Sequence, residues 1–239
     1  MSYMEKKYKL TDETIEVDGK TLYRIEALKN FSDIKKGNKG GFIEKEENLS
    51  HLGNAWVYDN AKVFDNAEIF GDAVVRGMAQ ICDYAKILEC TIISDCAQIY
   101  GRSHILGHAR VYDMVQIYGD SIVKNYAKIY DEATICGYSM IYDHVIVRNN
   151  AIIKDVEISG EATISHDAKI LSNKDYIVFK NWWSSGRYFT WTRSNNMWSV
   201  GCFYGTGKEL IEKAYKDSEL SGNEYKRIVE YVNSINNHE

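Results

Sequence analysis

The chain has 239 residues, 45% of them hydrophobic, with a formal net charge of −5 and a pI near 5.7. That length buries a sizeable core, and the acidic balance argues against general nucleic-acid binding, which needs an excess of Lys and Arg. No apolar run reaches the length of a bilayer span, and the opening MSYMEKKYKL lacks the apolar stretch of a secretory signal, so the expectation is a cytoplasmic protein with no membrane partner.

Residues 1–52 read as a cap. Within them, strands at 14–17 and 20–25 flank Asp18-Gly19, a favoured type I′ hairpin pair, and a Lys- and Gly-rich loop follows from Lys35 to Gly41. From Gly53 to Lys154 the chain is seventeen six-residue units (GNAWVY, DNAKVF, DNAEIF and onward), and place five of every unit is Ile or Val. Place three is small in nearly all of them, and place one is Gly, Asp or Asn in every unit except the one opening at Glu89. Places three and five share one side of a strand, whereas a turn-forming residue every six positions forbids any long strand. Each unit is therefore one short strand plus one corner, and three units make one triangular coil in which residues eighteen apart stack. One unit is short by a residue at 155–159; the phase resumes at Gly160 and His166, and the coils run to about Leu171, giving a solenoid over 53–171.

Residues 172–239 read as a small α+β domain, with strands at 176–180, 188–192 and 198–203 and helices from Lys208 to about Asp217 and from Asn223 to about Asn233. Its Trp182, Trp183, Trp191 and Trp198 are read as core before binding pocket, and GCFYGTGK at 201–208 lacks the spacing of a phosphate loop. Both end segments have a plain task, because each end of a stack of coils exposes strand edges and apolar core. The five cysteines, Cys82, Cys90, Cys96, Cys136 and Cys202, have no paired spacing, so reduced thiols are expected, with no metal and no cofactor.

The steps from Val57 to Ala61, Val63 to Ala67 and Ile99 to Ser103 resemble the hexapeptide-repeat family of left-handed parallel β-helices. The resemblance implies an all-β solenoid, a left-handed helix of about six to seven triangular coils, and a homotrimer. The left hand comes from the resemblance alone, since crossovers between parallel strands are ordinarily right-handed. The stretches NWWSSGRYFTWTR and WSVGCFYGTGKELI, together with the opening YKLTDETIEVDGKTLYRIEAL, are similar to hexapeptide-repeat proteins encoded by bacteriophages and prophages. That likeness implies an accessory protein of a phage in its host cell.

Places four and six face outward. The first side carries Trp56, Val74, Ile92, Arg110, Lys128 and Ile146 at place four and Tyr58, Arg76, Ser94, Tyr112, Tyr130 and Arg148 at place six, with no carboxylate. Beside it runs a corner column of Cys90, His108, Tyr126 and His144. His108, Arg110, Tyr112, Tyr126, Lys128, Tyr130, His144 and Arg148 therefore form a candidate site for an anionic ligand with a ring, cations meeting phosphate or carboxylate and Tyr faces stacking on a base. The second side stacks Gln80, Gln98 and Gln116, an amide column of structural use. The third carries Phe70, Leu88, Leu106, Ile122, Met140 and Tyr142, an apolar strip expected to be covered by further copies of the chain. The favoured function is a non-catalytic binding module, in its sharp form a counter-defence protein that sequesters a nucleotide-like host signal or blocks a host defence protein. An acyltransferase using acyl-CoA, with His104, His108 or His144 as base, is the alternative that the resemblance implies, and a scaffold is the third.

Overall fold

A computed structural model describes residues 5–236; the first four residues of the opening stretch read above lie outside it. From Trp56 to Ile170 the chain is a run of very short strands, most of them two residues long, at places four and five of each unit. They assemble into three parallel sheets in which every third strand is a neighbour, and the sheet of the first side has seven rungs. The register is the eighteen-residue one: Arg110 lies beside Lys128, Gln98 beside Gln116 and His104 beside Ile122. The place-five Ile/Val column and the small place-three residues are buried throughout and make one continuous core.

The corners explain the composition of place one. Each of them holds a residue at positive φ, including Gly107 at 77°, Asp113 at 60° and Asn125 at 61°. Gly adopts this backbone freely, and Asn and Asp tolerate it best among the others. Asp adds a second service: its carboxylate accepts the backbone N–H of the place-one residue one coil on, as in Asp83 to Gly101 (2.9 Å), Asp113 to Asp131 (3.1 Å) and Asp131 to Asn149 (2.9 Å). The shortened unit at 155–159 is absorbed at one corner. Pairing slips to seventeen residues, Met140 against Glu157, while Val156 takes the buried place normally held by a small residue.

The first end is closed by a continuation of the second-side sheet. The hairpin of Tyr8–Val17 and Lys20–Ala27 turns at Asp18 (φ 50°) and Gly19 (φ 76°) as expected. Part of the Lys/Gly-rich segment read as loop is a strand, Lys39–Ile43, paired antiparallel with the hairpin and parallel with Lys62–Val63. Gly40 is required here, because a Cβ would collide with the Val57 carbonyl and the Trp56 ring. This cap overturns one expectation: Trp56 points out of the coil but is not exposed, being wholly buried against Tyr8 and Phe31. Buried Lys7 donates through Nζ to the Ala55 carbonyl at 2.7 Å, and burial lowers its pKa to about 8.

The far end is closed by hydroxyls. The open strand edge of the last coil donates Thr163 N–H to Thr190 Oγ1 (2.9 Å) and Lys169 N–H to Ser194 Oγ (2.7 Å), while Ser165 and Ser199 share a bond at 3.0 Å. Thr190 and Ser199 sit on, and Ser194 in a turn of, a four-stranded antiparallel sheet of Tyr176–Lys180, Tyr188–Thr192, Met197–Val200 and Phe203–Gly205, so the segment read as one strand at 198–203 is two, turning at Gly201 (φ 59°). Helices Gly207–Asp217 and Glu219–Asn236 back the sheet, the first opened by a Thr206/Glu209 capping box. The second begins four residues before the expected Asn223, because Gly222 is packed under the Tyr215 ring and does not break the helix. Trp191 and Trp198 are core, Trp183 packs edge-on against Tyr225, and Trp182 is exposed.

One imidazole anchors each cap. His51 lies against Tyr8 at 4.4 Å, and His166 is stacked on Tyr204 at 3.4 Å; burial, the largest cause in both, lowers their pKa. The unfolded chain then binds protons that the folded one refuses, so stability is full above the unfolded-state value near 6.5 and is lost as pH falls through it toward the lower folded-state values. Thermal melts at pH 7.5 and 5.5 are expected to show the lower midpoint at pH 5.5, with the difference reduced in His166→Phe.

Candidate functional site

On the first side, Arg110 and Lys128 stand on adjacent rungs in the middle of the sheet, both exposed. Two columns flank them. Toward one edge Tyr112 and Tyr130 stack at 5.0 Å with planes 3° apart, and at the corner His108, Tyr126 and His144 form a continuous ladder at 5.1 and 5.2 Å. Arg148 extends the Tyr column by one rung, and its Nε is buried with no hydrogen-bond partner. All eight candidate residues therefore share one surface. The rung spacing of the solenoid, about 4.8 Å, sets the ring spacing and aligns the planes.

That alignment corrects the expected use of the rings. Within each ladder the faces are spent on one another, and a gap near 5 Å holds no third ring. Only the ends of the ladders are free to stack on a ligand.

The surface also holds an acid that the eighteen-residue register hid. The slip at 155–159 brings Glu161 into the corner column, with its Oε1 3.3 Å from His144 Nδ1. Beyond it, the loop before Tyr188 delivers Arg187 from the C-terminal domain over the first side, where Arg148, Glu161, Arg187 and Tyr188 border a cavity of about 330 Å³. A neighbouring cavity of about 480 Å³ lies among His108, Arg110, Tyr126, Lys128, His144 and Glu161, and a third of about 310 Å³ among Arg76, Ile92, Ser94, Asp95, Arg110, Tyr112 and Lys128. The Arg187 contribution had no sequence signal, because it depends on how the cap docks. Glu161 was recoverable from the phase break by counting seventeen from His144.

Arginine pairing distinguishes this face. Arg24, Arg102 and Arg227 each hold a carboxylate, at 2.5, 2.6 and 2.6 Å. Among the described residues Arg76, Arg110, Lys128, Arg148 and Arg187 hold none. Unpaired cations on neighbouring rungs repel, and an anion lying across them removes that cost.

The third side keeps its expected residues, but they shift column. Phe70, Leu88 and Leu106 occupy place six, whereas Ile122 and Met140 occupy place four, and all are half-buried. Lys86 pairs with Glu68 at 3.1 Å, and Lys124 lies over the Tyr142 ring at 4.8 Å, so the strip is edged by charge. All five cysteines are free. Asp65, Cys82 and Asp83 cluster near a corner, but Lys20 already neutralises Asp65, and burial, the largest cause, pushes the Cys82 thiol up to about 12. Among the described residues no helix is long and apolar enough to cross a membrane.

Comparison with models of known protein families and with curated proteins finds no match.

The corner ladder is expected to contribute to stability despite its exposure. Tyr126 is 53% exposed, yet it makes two stacked contacts worth about 0.5–1.5 kcal/mol each. Tyr126→Ala is expected to cost roughly 1–3 kcal/mol in urea unfolding, against within about 0.5 kcal/mol for an ordinary surface replacement such as Lys62→Ala.

Proposed function

We propose that the protein is a rigid binding module that captures an anionic, nucleotide-like ligand on the first side, without turning it over. The observation that carries this reading is the row of cations without carboxylate partners, Arg76, Arg110, Lys128 and Arg148, walled by aligned His and Tyr columns. Side chains fixed at rung spacing lose little freedom on binding, which favours tight capture. The biological form of the proposal, a counter-defence protein that withdraws a host signal, rests on the likeness of the two end segments to phage-encoded proteins. Left-handed winding and a trimer rest in the same way on the hexapeptide likeness.

One contact favours the acyl-transfer reading: the Glu161 carboxylate lies at His144 Nδ1, as a carboxylate orients an imidazole base. Against it, the strands follow one another from Trp56 to Lys154 with only corner-length connections, so no loop rises to shape an acceptor pocket. Steady release of free CoA from acetyl-CoA and an amino-sugar acceptor, lost in His144→Ala, would favour catalysis over capture.

Calorimetric titration with adenine nucleotides, cyclic nucleotides and ADP-ribose is expected to find a binder whose affinity falls with salt. Arg110→Ala and Lys128→Ala should each weaken it by about tenfold to a hundredfold, the loss of one charge-assisted hydrogen bond. Silence from every ligand would remove the small-molecule form of the proposal. For the third side, Leu106→Glu should reduce the assembly to single chains in native mass spectrometry; an unchanged mass would overturn that contact.

A further inference from the structure

One rung of the first side is recessed. The unit Glu89–Ser94 departs from the repeat at several places. Place one is Glu89, held at φ 59° where only Gly, Asn and Asp sit easily, and place three is Thr91, whose hydroxyl bonds the Leu88 carbonyl at 2.6 Å. All three of its outward residues, Cys90, Ile92 and Ser94, are short of the ladders above them. Departures from local consistency are expected at functional sites more than elsewhere.

The recess is where both ring columns end. Tyr112 stacks on Tyr130 with one face, and the rung beneath its other face offers Ser94; His108 stacks on Tyr126, and beneath it lies Cys90. One further rung down, Arg76 occupies the same column as Ser94 and Tyr112. Arg76 and Tyr112 are therefore two rungs, roughly 9.6 Å, apart, and a planar ring at the level of Ser94 would lie about 4.8 Å from each, within the 4.5–7 Å range of stacked groups. Ser94 is only 4% exposed in the free protein, so the side chains that cover it have to part for a ring to enter at its level. The cavity of about 310 Å³ bounded by Arg76, Ile92, Ser94, Asp95, Arg110, Tyr112 and Lys128 reaches from this gap across the neighbouring rungs. Among the described residues neither Arg76 nor Arg110 holds a carboxylate, which leaves one guanidinium to face the ring and the other to meet its anionic substituent.

We infer that the recessed rung Glu89–Ser94 is a slot for the planar base of the captured ligand, with the Arg76 guanidinium on one face, the Tyr112 ring on the other, and the phosphates running up the side over Arg110 and Lys128. This deepens the capture reading and rests on it. Asp95, whose Oδ2 is engaged by the Ser94 hydroxyl at 2.6 Å, places a carboxylate beside the slot and favours a base with an amino donor. The polarity follows as well. The base sits toward the N-terminal end of the solenoid and the anionic tail points toward Arg148 and Arg187.

The test fills the gap. Ser94→Tyr continues the Tyr column by one rung with a residue that place six already carries at Tyr112 and Tyr130, so the fold is expected to persist, checked by circular dichroism and melting midpoint. Titrate ADP and, as a ringless probe, pyrophosphate against wild type, Ser94→Tyr and Tyr112→Ala. The expected result is ADP binding weakened about tenfold or more by both substitutions, with pyrophosphate unaffected. ADP affinity unchanged in Ser94→Tyr, or ADP and pyrophosphate weakened alike, overturns the slot while leaving anion capture standing. Failure of wild type to bind either probe overturns both. If Ser94→Tyr does not fold, Tyr112→Ala decides by the same comparison of the two probes.

Discussion

A corner residue held at positive φ at every sixth position is the constraint on which everything else in this molecule depends. It stops each strand after about two residues, and the same corner recurs after every three units, so that backbone donors of one coil meet acceptors of the next. Asp at the corners serves this twice, tolerating the backbone and bridging to the next coil. Once the corners are in step, the Ile/Val column closes on itself, and the outward residues have no freedom left to choose their neighbours.

That rigidity gives the first side its chemistry and also limits it. Rings held near 5 Å apart stabilise one another but admit no third ring between them, so only the ends of a ladder are open to a stacking partner. Cations on adjacent rungs that hold no carboxylate are an arrangement that folding does not reward, because repulsion between like charges is only partly relieved by solvent. Elsewhere the chain spends its arginines on carboxylates, as with Arg102 and Asp120. The contrast within one molecule is a firmer guide than net charge, which is negative overall.

Much of this architecture was legible in the residues, and the reasons for the gaps are physical. Periodicity carries register, so the stacking of Arg110 on Lys128 followed from counting eighteen. Periodicity carries nothing about what lies on top of a face. Trp56 satisfies the outward rule of place four and is nonetheless buried, because the N-terminal cap folds over it. Glu161 was missed because a single deleted residue changes which side chains are neighbours, and Arg187 because a separate sheet delivers it. The strand read at 198–203 was two strands since Gly201-Cys202 looks like strand interior when only apolar content is weighed. Ser94 and Cys90 were visible as small residues, but their meaning came only with the stacked rings above them.

The uninterrupted coils carry one last consequence, for how such a surface changes over generations. Any eighteen-residue block that begins and ends at equivalent corners can be copied in tandem and still dock on its neighbours, adding about 4.8 Å of length while both caps remain in place. Lengthening the cationic row or moving the recess thus needs neither a new fold nor compensating repairs, only duplication followed by substitution at places two, four and six. A scaffold of this kind extends its outward surface only in whole steps.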